Sequence, residues 1–214
     1  TIMGWIDEDQ LEWAIGNGVS FFVFTPERLE AALAVARRLG RPARIHLELE
    51  TGMFRTGFCG HHLDFVADRV KGHGGDVVVE GLCSHFAGAE SSAAYTRVKD
   101  QIGRFHELAG ELARRGVRPR RRHLACTAGV LRFPESMLEM VRVGIANYGF
   151  WPSAELRIDH LLKNGDMEDP LKRVLSWKSR VMSVNDVPED RYVSYGTSYL
   201  TNRPSKIATV PVGY

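Results

Sequence analysis

A short polar segment brings together residue types that could do chemistry. His46, Glu48 and Glu50 alternate with two leucines, and Arg55 follows shortly afterwards. Because side chains alternate across a β-strand, the three polar groups share one face of a predicted strand. Buried charges are costly unless they are paired, and Arg55 is a natural partner for Glu48 or for a bound anion. An internal ion pair without a chemical role is the plainer alternative; we favour a functional site, because strongly perturbed charges concentrate at such sites.

A second segment combines a cation with a glycine. Residues 140–149 (MVRVGIANYG) place Arg142 on an otherwise apolar predicted strand, and Gly144 follows where that strand ends. Exposed backbone N–H groups at such a position can hold a phosphate, and Thr127 could add a hydroxyl. Phosphate sites of (β/α) barrels commonly follow the last strands, where this segment falls. The segment therefore predicts a phosphate site.

Two pairs of residues raise the question of a metal ion. Cys83 and His85 share one face at the end of a predicted strand, but no third ligand follows at a recognisable spacing. His61 and His62 follow a glycine and are interpreted as a solvated pair at a helix start or in a loop. We therefore expect no metal at the site.

The composition limits the classes of partner. Lys and Arg number 28 and Asp and Glu number 26, and this net charge of +2 does not indicate nucleic acid or an anionic membrane. An arginine-rich run at residues 114–122 is interpreted as a helix end and a surface loop, because no aromatic residues interleave it. No segment reaches the roughly 20 apolar residues of a membrane span. Three widely spaced cysteines indicate a reducing, cytoplasmic setting.

Strands and helices alternate along the first 170 residues. Predicted strands cover residues 19–24, 45–50, 77–86, 123–125 and 140–143, and predicted helices cover 26–39, 63–71 and 92–115. Thr25 and Pro26 are typical of a helix start, and Gly40 of a helix end. This order predicts an α/β fold with parallel strands, a partial (β/α)8 barrel of the TIM type, although periodicity alone does not separate it from an open sheet.

The pattern changes after about residue 170. Residues 174–184, 192–195 and 207–212 resemble strands joined by turns, with no helical pattern between them. We therefore predict two domains: a partial barrel over residues 1–170, and the beginning of a mostly antiparallel β domain over residues 171–214. The chain begins without Met and stops soon after a predicted strand, so we expect a fragment of a longer protein.

Seven short segments, taken together, resemble the bacterial alanine racemase family. They occur in the family's order: residues 50–57 (ETGMFRTG), 84–87 (SHFA), 123–128 (HLACTA), 131–134 (LRFP), 142–149 (RVGIANYG), 193–196 (VSYG) and 207–214 (IATVPVGY). One such motif is weak support, whereas the ordered set spans nearly the whole chain. The resemblance implies an isomerase that uses pyridoxal 5'-phosphate (PLP) to interconvert L- and D-alanine, with a barrel domain that binds the cofactor.

The resemblance also implies roles for the cofactor-binding residues. Arg142 would face the pyridine nitrogen of PLP. Thr127, Gly144 and Ile145 would hold its phosphate. Arg55 would bind near the cofactor's phenolic oxygen and the substrate carboxylate. Since an arginine does not give up its proton at ordinary pH, Arg142 should leave the ring nitrogen unprotonated, which would limit side reactions such as transamination.

The resemblance further implies how protons move. Racemisation takes a proton from one face of the substrate and returns one to the other, so it needs two opposed groups. Tyr195 would be one of them, reaching into the partner subunit's site in a homodimer. His85 would bridge Arg142 and Tyr195, and Tyr214 would line the entrance to the site.

The chain also departs from the family pattern. The family's lysine that binds PLP lies in a motif absent from this chain, so we expect the chain alone to be inactive. Glu48 stands where many members carry a carbamylated lysine and could supply the same negative charge beside Arg55. Cys126 and Thr127 replace the usual Asn and Ser, and residues 154–169 form an unfamiliar stretch. A racemase of broader specificity or for serine, and a non-catalytic PLP-binding barrel, are the alternatives.

Overall fold

The computed structural model describes residues 1–165 and 168–213. It forms two compact units, an N-terminal unit over residues 1–172 and a C-terminal unit over residues 173–214. Within the described residues, no helix combines the length and the apolar character needed to cross a membrane.

The N-terminal unit is built on four parallel strands. They are β1 (Phe21–Val23), β2 (Ala43–Glu48), β3 (Val77–Cys83) and β4 (Arg121–His123), paired in that order. The α-helices are α1 (Glu8–Gly16), α2 (Pro26–Leu39), α3 (Leu63–Gly72), α4 (Tyr95–Arg114), α5 (Thr127–Arg132) and α6 (Ala154–Asn164). Short 3-10 helices cover Gly60–His62, Ser92–Ala94, Pro134–Ser136 and Ile145–Tyr148. The predicted alternation of parallel strands and crossover helices is confirmed.

Local signals explain the helices that were predicted. In α2, the Thr25 hydroxyl accepts a hydrogen bond from the Arg28 N–H at 3.3 Å, Pro26 occupies the first turn, and Gly40 ends the helix in a left-handed conformation. In α4, apolar residues at helical spacing form one buried stripe against the sheet. The stripe consists of Val98, Ile102, Phe105, Leu108 and Leu112.

Several features of the N-terminal unit differ from the sequence prediction. The strand predicted over residues 123–125 runs instead from Arg121 to His123. Residues 140–143 form no strand: Arg142 makes one isolated bridge to Cys126, and the chain then turns into the 3-10 helix Ile145–Tyr148. Helices α1 and α5 were not predicted; at the start of α1 the Gln10 side chain accepts from the Asp7 N–H at 3.0 Å. The unfamiliar stretch at 154–169 begins with helix α6, which the Ser153 hydroxyl caps by accepting from the Leu156 N–H at 3.2 Å.

The C-terminal unit contains an antiparallel pair of strands, β5 (Ser183–Val187) and β6 (Ser205–Thr209). The predicted strands at 174–184 and 192–195 are wrong for most of their length. Residues 174–182 carry no strand, and Tyr192 makes only one bridge, to Leu200. Thr201 instead organises a turn, because its hydroxyl donates to the Pro188 carbonyl at 2.7 Å and accepts from the Arg191 N–H at 2.9 Å. The Pro188 carbonyl and the Arg191 N–H, which pair with this hydroxyl, are not available for hydrogen bonds between strands.

Candidate active site

Two cavities that share a wall lie at the carboxyl ends of the parallel strands. The larger, about 510 Å³, is lined by residues that end or follow each strand, among them Phe24, Glu48, His85 and Cys126. The smaller, about 410 Å³, extends past Thr127 to the 3-10 helix at 145–148. His85, Cys126 and Arg142 line both cavities. This is the end of the strands where barrel enzymes place their active sites, and we call the two cavities together the cleft.

The cleft collects most of the residues that the sequence singled out. Those in its walls are Glu48, Arg55, His85, Thr127, Arg142, Gly144 and Ile145. Tyr195 belongs to the C-terminal unit, where its side chain is 95% exposed. Tyr214 lies outside the described residues.

Arg142 is held in the cleft by four acceptors. Its Nη1 contacts His123 Nδ1 at 2.6 Å and donates to the His123 carbonyl at 2.8 Å. Its Nη2 donates to the carbonyls of Ser84 at 2.6 Å and Leu124 at 3.1 Å. A guanidinium is only a donor, so this set fixes both its position and its charge at the strand ends.

The Arg142 contact also orients two buried histidines. Because Arg142 donates, His123 Nδ1 must accept, and its proton must lie on Nε2. That nitrogen faces His46 Nδ1 at 2.8 Å, so His46 in turn carries its proton on Nε2. Burial, and then the charge of Arg142, lowers the pKa of His123 to about 3, and mainly burial lowers the pKa of His46 to about 4. Both imidazoles are therefore neutral at pH 7.

The histidine pair depends on a glycine in the strand between them. Gly81 lies on β3, next to His46 on β2 and next to β4, which ends at His123. A Cβ placed on Gly81 would collide with His46 Nδ1 and lie 2.8 Å from His123 Nε2. Only glycine allows the two imidazoles to meet across the strand.

We expect Gly81→Ala to destabilise the N-terminal unit. The added methyl group must push the two imidazoles apart, and overpacking of a close-packed interior costs about 1–3 kcal/mol. Urea unfolding compares it with Gly103→Ala, which lies on the exposed side of α4 where an added Cβ meets nothing within 4 Å. The control should keep or gain stability, by up to about 1 kcal/mol, because alanine favours the helix. Equal stability of the two variants would contradict this account of the pair.

Glu48 is a buried carboxyl group beside the arginines. It accepts a hydrogen bond from the Thr56 hydroxyl at 3.1 Å, and burial raises its pKa while that bond and the charges of Arg55 and Arg142 oppose the rise. The predicted Glu48–Arg55 interaction is thus electrostatic, without a direct hydrogen bond within the described residues. Arg55 itself is exposed, and its side chain lines the larger cavity.

The predicted phosphate site has suitable donors and open space. The Gly144 N–H donates to the Thr127 hydroxyl at 3.0 Å, which leaves the hydroxyl proton available to an anion. A Cβ placed on Gly144 would meet no atom within 4 Å, so the cavity is open directly above the backbone. Ile145 begins the adjacent 3-10 helix. These residues fit a phosphate group.

Sequence reasoning missed part of the site. His123 lies in the HLACTA segment, which resembles the family without indicating a role for this residue. In the structure, the His123 ring is the side-chain partner of Arg142. His85 was expected beside Arg142, and it lines the same cavities. Burial, and then the charges of Arg142 and Arg55, lowers the pKa of His85. Among the described contacts, His85 makes no hydrogen bond to Arg142. Trp5 and Phe22, also unforeseen, form an apolar wall.

Comparisons with known proteins show the family of this chain. The family model described as alanine racemase, N-terminal domain, matches residues 1–152, and the alanine racemase C-terminal domain matches residues 174–214. Alanine racemases of Leptospira interrogans and Symbiobacterium thermophilum are 33% and 36% identical to the whole of this chain. Their matched part is 54% of each relative, so the chain spans about half the length of the curated relatives it matches.

Solved structures of alanine racemases are also similar to this chain. Alanine racemase from Streptomyces coelicolor A3(2) matches 99% of the chain and 54% of its own length, with a TM-score of 0.79 and 29% identity. Alanine racemase from Bacillus anthracis with bound L-Ala-P matches 100% of the chain and 53% of its own length, with a TM-score of 0.77 and 28% identity. The predicted combination of a partial barrel and the beginning of a β domain is therefore confirmed. The chain belongs to the alanine racemase family.

Proposed function

We propose that the gene product carrying this chain is a PLP-dependent alanine racemase that interconverts L- and D-alanine. The observation that carries the proposal is Arg142, fixed by four acceptors at the centre of a cleft with a phosphate site on one side and Arg55 on the other. Enzymes that use PLP control its chemistry through the side chain at the ring nitrogen. A permanently protonated arginine there favours an unprotonated ring and supports racemisation over competing reactions.

The cleft offers groups suited to both the phosphate and the ring nitrogen of PLP. Thr127, Gly144 and Ile145 would hold the phosphate through a hydroxyl and backbone N–H groups, and Arg142 would face the ring nitrogen. PLP, when bound, supplies the electron sink that makes the α-proton of an amino acid removable. We expect no metal ion to take part in this chemistry.

Substrate binding would rest on the charged wall of the larger cavity. Arg55 lines this cavity and can bind the carboxylate of an amino acid through its planar donors. The buried carboxyl of Glu48, hydrogen-bonded to Thr56, sets the electrostatic environment of Arg55. The apolar side chains of Trp5, Phe22 and Phe24 close the same cavity and would limit access of water.

Proton transfer would use groups on opposite faces of the substrate. We assign one of these roles to Tyr195, whose hydroxyl can hold or release a proton, and place His85 between Arg142 and that tyrosine. A tyrosine that serves the partner subunit's site implies a homodimer with shared active sites. We further propose a cytoplasmic enzyme that supplies D-alanine for peptidoglycan.

The proposal is tested by incubating the full gene product with L-alanine and PLP in D₂O. We expect D-alanine to form and deuterium to enter the α-position of both enantiomers, since each proton transfer exchanges with solvent. Serine, supplied in parallel, tests substrate choice. If neither enantiomer of alanine gains deuterium while the protein retains bound PLP, the proposed function is wrong.

The phosphate site can be tested on the 214-residue chain by equilibrium binding. We expect PLP to bind more tightly than pyridoxal, which lacks the phosphate, and Thr127→Val to reduce this preference about tenfold or more. The reason is that a hydrogen bond to a charged group contributes about 1.5–3 kcal/mol. Thr96→Val makes the same change on an exposed surface of α4 and should leave the preference intact. Equal preference in the two variants would remove Thr127 from the phosphate site.

A further inference from the structure

We propose that Cys59, His61 and His62 form a zinc-binding site at the start of α3, separate from the cleft. The Cys59 Sγ atom and one ring nitrogen from each histidine all lie within 4.8 Å of one another. None of the three residues lines either cavity of the cleft. From the sequence, the two histidines were interpreted as a solvated pair, and their proximity to Cys59 was not predicted.

Local structure directs the three side chains to one place. Cys59 precedes the 3-10 helix Gly60–His62, which leads directly into α3. The His62 N–H donates to the Cys59 carbonyl at 2.9 Å, and His62 Nδ1 accepts from the Cys59 N–H at 3.1 Å. These bonds hold the His62 imidazole against the Cys59 backbone, in the turn that also carries the thiol. The His61 and His62 rings then lie with their centroids 3.9 Å apart.

The His62 ring is also braced from the core. It packs edge-on against the fully buried Phe58, with ring centroids 6.0 Å apart and an interplanar angle of 80°. His61 is exposed, so its ring can rotate with little resistance. A binding ion would therefore meet two ligands that the fold already positions and a third that can adjust.

The ligand set selects the kind of ion. One thiolate and two imidazoles suit Zn²⁺ among the abundant divalent cations, whereas Mg²⁺ and Ca²⁺ require oxygen ligands. Zinc bonds of about 2.3 Å to sulfur and about 2.0–2.1 Å to nitrogen place ligand atoms roughly 3–4 Å apart, so a small rotation of His61 closes the site. Three protein ligands leave the fourth position to water. At His62 Nδ1 the metal would replace the hydrogen bond from Cys59.

The surrounding charges permit a cation. Glu27 acts electrostatically on His62 as a nearby negative charge. A cation also lies close by: Arg104 Nη2 would be 3.3 Å from a Cβ placed on Gly60. Its other terminal nitrogen is paired with Glu107 at 3.0 Å, which offsets its charge. Deprotonation of the Cys59 thiol on binding releases one proton to solvent and adds a negative charge against the incoming ion.

The experiment titrates the reduced, metal-free 214-residue chain with Co²⁺ and then displaces it with Zn²⁺. We expect one equivalent to bind, with a thiolate-to-cobalt charge-transfer band and the visible bands of four-coordinate cobalt. Cys59→Ser should abolish the charge-transfer band. His61→Asn changes an exposed position and should leave the fold intact. It should weaken zinc binding at least as much as removal of a supporting group weakens other metal sites, which is about 10–100-fold.

Two matched variants separate this site from other thiols and imidazoles. Cys126→Ser removes the half-buried thiol of the cleft, and His106→Asn removes an exposed imidazole on α4; both should bind cobalt as the unaltered chain does. Absence of the band at a several-fold molar excess of Co²⁺ would overturn the proposal. So would a band that survives Cys59→Ser or disappears with Cys126→Ser. Because no PLP or substrate is present, each of these outcomes leaves the racemase proposal standing.

Discussion

The 214-residue chain, supplied with PLP, is expected to interconvert L- and D-alanine far more slowly than the about 1–10³ s⁻¹ typical of enzymes. Racemisation needs a proton-transfer group on each face of the substrate, and an amine that binds the cofactor usually provides one of them. No lysine lines either cavity in the part of the chain that the structure describes. The cleft therefore contains the residues proposed to bind the cofactor but, among the described residues, no such amine.

The positions of individual lysines support this expectation. The Lys99 amine is paired with Glu135 at 2.6 Å on the outer surface of the N-terminal unit. Lys206 is paired with Asp186 at 3.1 Å between the two strands of the C-terminal unit. Lys71 lies in the last turn of α3, away from the cleft lining. None of these three amines lines the cleft.

The measurement is the rate of D-alanine formation by the isolated chain, with the full gene product as the positive control. Arg142→Ala in the isolated chain distinguishes its own activity from that of a contaminating racemase, which the substitution cannot affect. Turnover in the ordinary range that Arg142→Ala abolishes would mean that the cleft already contains both proton-transfer groups. The prediction would then be wrong.

The second large effect is expected at Tyr195. In the full gene product, Tyr195→Phe removes only the hydroxyl and should lower racemisation by roughly the 10²–10⁴ attributed to an acid–base group, while PLP stays bound. The alternative, a strand aromatic that packs in a sheet, finds no support in the C-terminal unit. Tyr195 lies outside β5 and β6, its side chain is 95% exposed, and the preceding Ser194 has a φ of 63°.

Tyr199 supplies the matched control for this substitution. It follows four residues later in the same loop, is 54% exposed, and loses the same atom in Tyr199→Phe. We expect this variant to racemise alanine at nearly the unaltered rate. If both substitutions lower the rate equally, the effect belongs to the loop and not to the Tyr195 hydroxyl.

Subunit mixing tests whether Tyr195 acts across a dimer interface. Subunits with Tyr195→Phe are combined with subunits with Arg142→Ala. If the active site is shared, each heterodimer contains one site with both groups intact, and activity should recover to a fraction set by the mixing ratio. Activity that stays at the level of the separate variants would place Tyr195 within its own subunit's site or outside the mechanism.

The sequence predicted the elements whose signals are local. Thr25, Pro26 and Gly40 mark the limits of α2 because each acts within one helical turn of its own position. The alternation at residues 46–49 predicted the buried faces of β2, since successive side chains of any strand point to opposite sides. Ordered motifs likewise identified the family, and with it Arg142, Thr127 and Gly144 as neighbours in the cleft.

Pairing between distant segments could not be predicted in this way. Residues 140–143 and 174–182 have the composition of strands, but a strand forms only where a neighbour satisfies successive backbone groups. Among the described residues these segments make only single contacts of this kind, from the Arg142 N–H to the Ala125 carbonyl and from the Met182 N–H to the Thr209 carbonyl. Helices α1, α5 and α6 were missed. The apolar faces of α1 and α6 become evident only against the surfaces that bury Leu11 and Leu156.

The sequence by itself thus determined the family, the order of parallel strands and helices, and the residue types at the carboxyl ends of the strands. Only the tertiary structure decided which of these residues touch. His46 and His123 are 77 positions apart, and they meet because Gly81 leaves the space between them on β3. That contact, together with the carbonyls around Arg142, depends on strand register, which sets side-chain distances that no local pattern encodes.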